Sequence, residues 1–124
     1  GEIMEYFFDS CAIIEVIEGN ENYTKFKNLP IITTTLNVAE VYFYFLKEHN
    51  KQTADYWIRK LNFKLINIIK LNLAINATKF KFANKKEGLS YTDCIGYMLS
   101  KEINVRFLTS DGKFKNKENV EFVK

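Results

Sequence analysis

Short apolar runs alternate with amphipathic stretches along the chain. A short apolar run bounded by turn residues is typical of a buried strand, whereas apolar residues spaced three and four positions apart are typical of a helix packed on one side. On this basis the pattern predicts five strands, at residues 4–8, 31–35, 63–69, 106–109 and 120–123.

Helices are predicted between these strands, at residues 10–18, 21–28, 38–49, 52–61, 73–86 and 90–101. The third of these helices has the clearest pattern, because Val38, Val41 and Phe45 fall on one helical face. Gly88 is expected to close the fifth helix, since glycine readily adopts the left-handed backbone that often ends a helix.

The alternation of strands and helices predicts the fold. Strands separated by helices need crossover connections, which favour parallel strands with helices on both faces of the sheet. We therefore expect one domain over residues 1–124, with a three-layer α/β/α architecture and a mainly parallel central sheet. Ligands bind such sheets in the crevice beyond the carboxyl ends of the strands, so functional side chains are expected at that edge.

The composition is that of a folded protein, and it limits the kinds of partner that the protein is expected to bind. A hydrophobic fraction of 47%, with one proline and five glycines, argues against disordered stretches. No run approaches the roughly 18 apolar residues of a membrane span, so we expect a cytoplasmic protein with no membrane partner. The net charge of +3 permits an RNA partner without requiring one. Met4 is interpreted as a natural start, which would make residues 1–3 a vector remnant.

The cysteines and the single histidine argue against a zinc site. Cys11 and Cys94 lie far apart in apolar surroundings, without C-x-x-C spacing. Both are expected to be small buried side chains in a reducing cytosol. His49 is expected at the surface or as a helix cap.

Four acidic residues map to the edge of the sheet where ligands are expected. Asp9 and Asp111 directly follow predicted strands, and Glu40 and Asp93 are placed in the first turns of predicted helices. Carboxylates buried together repel one another strongly, so their clustering is understandable only if a cation offsets the charge. Oxygen ligands suit Mg²⁺ or Mn²⁺, and such ions at a few carboxylates are typical of sites that cleave phosphodiester bonds.

Each acid also has a purely structural interpretation. The spacings Asn37-x-x-Glu40 and Ser90-x-x-Asp93 resemble capping boxes, which are worth about 1 kcal/mol of helix stability. Asp9 could likewise cap the first helix, and the pair of residues 111–112 is an ordinary turn signal. Taken singly, each acid is better explained as a cap or turn residue; the functional interpretation depends on all four lying at one edge.

The ordered set of motifs resembles the PIN-domain nucleases, and most closely the VapC-type toxins of prokaryotic toxin–antitoxin pairs. The matching segments are YFFDS at 6–10, NVAEV at 37–41, LSYTDC at 89–94 and FLTSD at 107–111, followed by KF at 113–114. The resemblance covers nearly the whole chain. It departs from the family at Cys11 and Cys94, where small aliphatic or hydroxyl residues are more usual, and at Gly112, where a charged residue is common.

The resemblance implies an endoribonuclease that depends on Mg²⁺ or Mn²⁺. Its metal-binding and catalytic acids would be Asp9, Glu40, Asp93 and Asp111. It also implies a catalytic role for Thr109, which lies two residues before Asp111 and so shares its strand face; a plain strand residue is an equally good interpretation. Ser10 could support the site or simply open a helix.

The same resemblance implies three partners: an RNA substrate, a cognate antitoxin that could insert a basic side chain among the acids, and a second copy in a homodimer. Two other functions stay open, an RNA-maturation PIN nuclease without an antitoxin and a noncatalytic RNA-binding or scaffold module. Phosphoacceptor domains need paired acids after the first strand, where this chain has only Asp9, and no glycine-rich phosphate loop is present.

Lysines and aromatic residues offer further candidates for contacts. Two groups of lysines could steer phosphate or be solvated surface, namely Lys79, Lys81, Lys85 and Lys86, and Lys113, Lys115 and Lys117. The four consecutive aromatic residues 42–45 span more than one helical turn, so they cannot all face one core. Phe43 and Tyr44 are expected to face solvent, a neighbouring helix or a partner.

Overall fold

Five short strands form one parallel sheet in the computed structural model, which describes residues 4–124. Residues 1–3, interpreted above as a vector remnant, lie outside the described part. The strand order is β3-β2-β1-β4-β5. In chain order the strands and α-helices are β1 (Tyr6–Phe8), α1 (Ser10–Ile17), β2 (Ile31–Thr34), α2 (Thr35–Glu48), α3 (Lys51–Lys60), β3 (Phe63–Ile66), α4 (Leu71–Ala83), α5 (Tyr91–Glu102), β4 (Arg106–Thr109) and β5 (Val120–Phe122).

Side chains that alternate along the strands build one core on each face of the sheet. In β1, Phe8 packs with Ala12 and Ile13 of α1 and with residues of α2 and α3, whereas Phe7 points to the opposite face. There Phe7 and Phe107 stack and pack against α4 and α5. Helices thus cover both faces of a parallel sheet, and the predicted three-layer α/β/α fold is confirmed.

A glycine allows α5 to approach the centre of the sheet closely. A Cβ atom placed on Gly96 would lie 2.8 Å from Cε1 of Phe7 and 3.4 Å from Cε1 of Phe107. Both phenylalanines are fully buried, so neither ring has free space into which it could move. Because position 96 carries no side chain, α5 can lie this close to β1 and β4. These are the two strands that precede Asp9 and Asp111.

Several predicted boundaries were wrong by two or three residues. β3 ends at Ile66 instead of residue 69, because Ile68 is 77% exposed and continues no strand. α4 begins at Leu71, ahead of the predicted residue 73, and ends at Ala83, after which Lys85–Glu87 form a separate 3₁₀ turn. Gly88 has the expected left-handed backbone, with a φ of 67°, but it closes that turn rather than the helix.

The four consecutive aromatic residues of α2 point in different directions, as predicted. Phe45 is buried, and the Tyr42 hydroxyl donates to Oδ1 of Asp55 on α3 at 2.6 Å. The Tyr44 hydroxyl donates to Oε1 of Glu18 at 2.6 Å, and Phe43 is 66% exposed. Only Phe43 therefore presents its ring largely to the surface.

Among residues 4–124, none of the helices combines the length and the apolar character needed to cross a lipid bilayer.

Candidate active site

Asp9 is held at the carboxyl end of β1 by bonds to both of its carboxylate oxygens. Its backbone N–H donates to the carbonyl of Leu108 on the neighbouring strand β4 at 3.1 Å, which continues the parallel pairing. Oδ1 accepts from the backbone N–H of Ala12 at 2.7 Å, so Asp9 caps α1 as the structural interpretation predicted. Oδ2 accepts from the hydroxyl of Thr109. With 1% of its surface exposed, the side chain has little freedom to move.

Thr109 links the first and last acids of the predicted set. It ends β4, is fully buried, and donates its hydroxyl to Asp9. The same hydroxyl oxygen accepts the backbone N–H of Asp111 at 2.9 Å. Oδ1 of Asp111 in turn accepts from the N–H of Lys113 at 2.9 Å, which makes Asp111 the cap of a short 3₁₀ turn. Thr109 is both a strand residue and a direct partner of Asp9; its catalytic role stays a prediction.

Asp93 also lies near Asp9, but it belongs to α5, which packs on the opposite face of the sheet from α1. The capping box predicted for Ser90 and Asp93 is present, because Asp93 N–H donates to the Ser90 hydroxyl at 3.0 Å and Ser90 N–H donates to Asp93 Oδ2 at 3.1 Å. Capping occupies only one carboxylate oxygen, so it does not remove Asp93 from the site. Its negative charge raises the pKa of Asp9, which shows that the two side chains are near one another.

Glu40 occupies a different position from the one predicted. α2 begins at Thr35, because the Thr34 hydroxyl accepts the N–H of Asn37 at 3.1 Å and so caps the helix three residues early. Glu40 therefore lies in the second turn rather than the first, and the capping box predicted between Asn37 and Glu40 does not form. The exposed Glu40 side chain instead accepts the hydroxyl of Ser10 at Oε1, at 2.5 Å.

Asn37 is a supporting residue whose role the sequence did not reveal. It was expected to cap the helix, but it is 1% exposed and lies inside the helix. Its Oδ1 accepts the Thr34 hydroxyl at 2.6 Å, and its Nδ2 donates to the Ser10 hydroxyl oxygen at 3.0 Å. Ser10 is thereby held in position to donate to Glu40. The two adjacent threonines before the helix were the available signal, since either could supply a cap earlier than Asn37.

Burial and nearby charge together alter the ionisation of the site. Burial raises the pKa of Asp9 from 3.8 to about 7, and the negative charges of Asp93 and Asp111 add to this, against the lowering effect of the bonds from Thr109 and Ala12. Two of the predicted acids, Asp93 and Asp111, therefore lie within electrostatic reach of Asp9. Glu40 is not among these charges; it accepts the hydroxyl of Ser10, the residue that follows Asp9.

Cys11 also lies beside these acids and was wrongly expected to be buried. It is exposed, whereas Cys94 is buried as predicted. Desolvation by the surrounding protein, followed by the charges of Asp9, Asp111 and Asp93, raises the pKa of the Cys11 thiol to about 12. The thiol therefore stays protonated at neutral pH and is a poor nucleophile.

The ionisation of Asp9 predicts an unusual pH dependence of stability. Below about pH 4 the carboxyl is protonated in folded and unfolded chains alike. At this low pH the raised pKa of Asp9 in the folded chain makes its full contribution to the free energy of unfolding. That contribution is lost as the pH rises through about 7. The difference between the two pKa values corresponds to about 4 kcal/mol as an order of magnitude. Urea unfolding in chelator at pH 5 to 8 should show wild type losing stability relative to Asp9→Asn; parallel curves would contradict the prediction.

The donor set fits a hard divalent cation held partly through water. Within residues 4–124, no three side chains of His, Cys, Asp or Glu lie close enough together to form a ready-made metal cage. Mg²⁺ usually keeps several waters and takes one or two carboxylates plus substrate phosphate, so it does not need such a cage. The carboxylates around Asp9 offer oxygen ligands only, and their mutual repulsion is what a cation would relieve.

Comparisons with known proteins agree on one family. The sequence model of the PIN domain matches residues 6–120. VapC20 of Mycobacterium tuberculosis, described as a sarcin–ricin loop cleaving toxin, is similar with a TM-score of 0.76 at 11% identity, over 97% of this chain and 100% of that chain. A toxin–antitoxin complex from Klebsiella pneumoniae is similar with a TM-score of 0.71 at 17% identity, over 94% and 96% of the two chains.

VapBC2 of Rickettsia felis, solved with a DNA fragment from its promoter, is similar with a TM-score of 0.71 at 16% identity, over 96% of this chain and 98% of that chain. A comparison with curated protein sequences found no match. At these identities the solved structures show a shared fold.

Proposed function

The chain belongs to the PIN domain family, whose model matches residues 6–120, and from this premise we propose that it is a metal-dependent endoribonuclease. It would hydrolyse phosphodiester bonds of RNA as the toxin of a toxin–antitoxin pair. The observation that carries the proposal is Asp9, which is buried at the carboxyl end of β1, is bonded to Thr109, and has a pKa raised to about 7 by that burial and, to a smaller degree, by the charges of Asp93 and Asp111. Strongly perturbed carboxyl groups are typical of functional sites, since a fold gains nothing from mutual repulsion.

The proposed mechanism assigns the four acids to one task. Asp9, Asp93, Asp111 and Glu40 would hold Mg²⁺ or Mn²⁺. When bound, such an ion lowers the pKa of a water molecule and offsets the charge on phosphate oxygens. Water would attack the phosphorus and lose a proton as the new P–O bond forms; the bond to the ribose oxygen would break, and that oxygen would leave as a hydroxyl after taking up a proton from solvent. The chain would contribute ligands and position rather than a nucleophile of its own.

The supporting residues would keep these ligands oriented. The Thr109 hydroxyl and the Ala12 N–H fix both oxygens of Asp9, and the Ser10 hydroxyl fixes one oxygen of Glu40. Groups that orient metal ligands in this way typically change activity about 10- to 100-fold when removed. Thr109 is therefore proposed as a positioning residue for Asp9.

A cleavage assay with and without metal tests the activity. Purified chain incubated with a mixed single-stranded RNA should produce fragments in Mg²⁺ or Mn²⁺, and none in excess chelator. Adding the ion back in excess should restore cleavage, because the chelated chain keeps its fold. RNA left intact in both ions would contradict the nuclease proposal and would favour the noncatalytic RNA-binding module instead.

We also propose an antitoxin segment as a partner. A groove of about 380 Å³ between α2 and α3 is lined by Thr35, Val38, Ala39, Tyr42, Asp55, Ile58 and Arg59. One of its lining residues, Ala39, directly precedes Glu40 in α2, and a peptide lying in the groove would extend a basic side chain from there toward the acids. A small antitoxin gene beside this one would favour the toxin over an RNA-maturation nuclease, which needs no such partner.

We also propose that the chain forms a homodimer and acts in the cytoplasm. In the chain Ile68 and Leu71 follow β3, which is one of the two edge strands of the sheet, and each is 77% exposed. Exposed apolar side chains that lie together are common at interfaces between protein chains. Both cysteines are free thiols, which is compatible with a reducing compartment where RNA is abundant.

A further inference from the structure

A second pocket lies beside the N-terminus of α5, on the side of the sheet that carries α4. It has a volume of about 230 Å³ and is lined by Thr78, Lys81, Phe82, Lys85, Leu89 and Tyr91. A cavity of about 150 Å³ is enough to hold benzene, so this one has room for an aromatic ring. Tyr91 is the first residue of α5 and Asp93 the third, so one wall of the pocket belongs to the same first turn of α5 that carries Asp93.

Two aromatic rings in this pocket keep exposed surface even though a lysine lies over each of them. Tyr91 is 55% exposed and Phe82 is 70% exposed, although both belong to helices that pack against the sheet. Their exposed faces are not used by the core. An aromatic face accepts any nucleobase, because every base has a π-surface that can stack on it.

Lysines placed over these rings give the pocket a positive charge. Nζ of Lys81 lies 5.2 Å from the centroid of the Tyr91 ring and also donates to the carbonyl of Leu89. Nζ of Lys85 lies 4.6 Å from the centroid of Phe82. Neither lysine forms an ion pair with a carboxylate in the part of the chain from 4 to 124. Their charge is thus available to an anionic ligand.

A third lysine extends this charge toward the acids. Nζ of Lys113, two residues after Asp111, lies 3.5 Å from the carbonyl of Gly88. Lys117 differs, because its Nζ is paired with Oε1 of Glu87 at 2.9 Å. Lys81 and Lys113 therefore bring positive charge to the loop at residues 88–89, which precedes α5. No carboxylate of the described residues pairs with either lysine.

From this combination, which rests on the proposed function, we propose that Tyr91 and Phe82, with Lys81 and Lys85, form a subsite that binds an unpaired base and its phosphate next to the scissile bond of RNA. A ring surface alone would suit many apolar ligands, and lysines alone would suit any anion. Together they suit a nucleotide. The substrate class is then single-stranded RNA, because a base within a duplex cannot reach a ring at the protein surface.

Equilibrium binding tests the subsite separately from catalysis. A labelled single-stranded oligoribonucleotide is titrated in Mg²⁺ with the full chain carrying Asp9→Asn, so that the RNA stays intact. Adding Tyr91→Ala should weaken binding about 5- to 100-fold, the usual effect of losing one stacked base. Tyr91→Phe, which keeps the ring, should bind like the parent. Phe43→Ala, which removes an equally exposed ring on α2, is the matched control.

The charge contribution has its own readout. Lys85→Gln should reduce the slope of log affinity against log salt by about 0.7, the value expected for one phosphate contact to a single strand. Lys47→Gln on α2 should leave the slope unchanged. A duplex RNA of the same sequence should bind equally well with and without Tyr91→Ala.

The outcomes separate this proposal from the nuclease proposal. If the parent chain cleaves RNA but Tyr91→Ala binds it with unchanged affinity, the subsite is wrong and the nuclease stands. If an acidic peptide binds more weakly to Tyr91→Ala while RNA binding does not change, the pocket belongs to a protein partner and the subsite is again wrong. If the parent neither binds nor cleaves RNA, both proposals fail.

Discussion

Asp9→Asn is expected to abolish metal-dependent RNA cleavage while leaving the fold intact. Asparagine keeps the shape of the side chain and can still accept the Ala12 N–H at its oxygen. Its amide removes the negative charge that a divalent ion requires. Loss of a group that merely orients a metal ligand lowers activity about 10- to 100-fold, so loss of a ligand itself should exceed this range.

The measurement is the initial rate of cleavage at saturating Mg²⁺ or Mn²⁺, with circular dichroism as a check on folding. Glu118→Gln is the matched control, since it removes one carboxylate charge from an exposed side chain that pairs only with Lys101. It should cleave at the parent rate. An Asp9→Asn protein that is folded and cleaves as fast as the parent would refute the proposed role of the acids.

Gly96→Val is expected to destabilise the fold by overpacking and to impair the site as well. Even a Cβ would lie 2.8 Å from the Phe7 ring, and valine adds two further methyl groups in a fully buried space. Overpacking of this kind typically destabilises by about 1–3 kcal/mol, which corresponds to a Tm lower by about 5–15 °C. α5 would have to move away from the sheet, and Asp93, one helical turn earlier, would move with it.

Displacement of a reacting group by about 1 Å can reduce a rate roughly 100-fold, so activity should fall even at temperatures where the variant is folded. Gly112→Ala provides the matched control, because a Cβ there meets no atom within 4 Å. It should be neutral or slightly stabilising, since alanine restricts the unfolded chain. Equal melting temperatures for wild type and Gly96→Val would show that the contact between α5 and β1 is not tight.

The sequence was most informative where packing alone decides the structure. The buried apolar runs ending at Phe8 and Thr109 predicted two central strands, because such runs with helices between them have few alternatives to a parallel sheet. This topology also predicted the edge of the sheet at which the acids would lie. The capping bonds of Asp9 and Asp93 were also predictable, since they depend only on residues three positions apart.

The sequence was less informative where two local interactions compete. Thr34 and Asn37 are both good helix caps; in the structure Thr34 caps the helix, while the Asn37 side chain bonds to Ser10, which is distant in the chain. Because Asn37 was taken as the helix cap, Glu40 was wrongly predicted to lie in the first turn of its helix. Similarly, the start of α4 was misplaced because Leu71 is apolar yet exposed, so its burial could not mark the helix boundary.

The bond between Thr109 and Asp9 joins residues that are 100 positions apart. β1 is synthesised first, yet it lies in the middle of the sheet and must wait for β4 to cover one of its sides. Contacts between such distant segments form late, because a long loop has to close before they can be made. A nascent chain in which β4 has not yet been made therefore holds Asp9 without the Thr109 hydroxyl that bonds it in the folded protein.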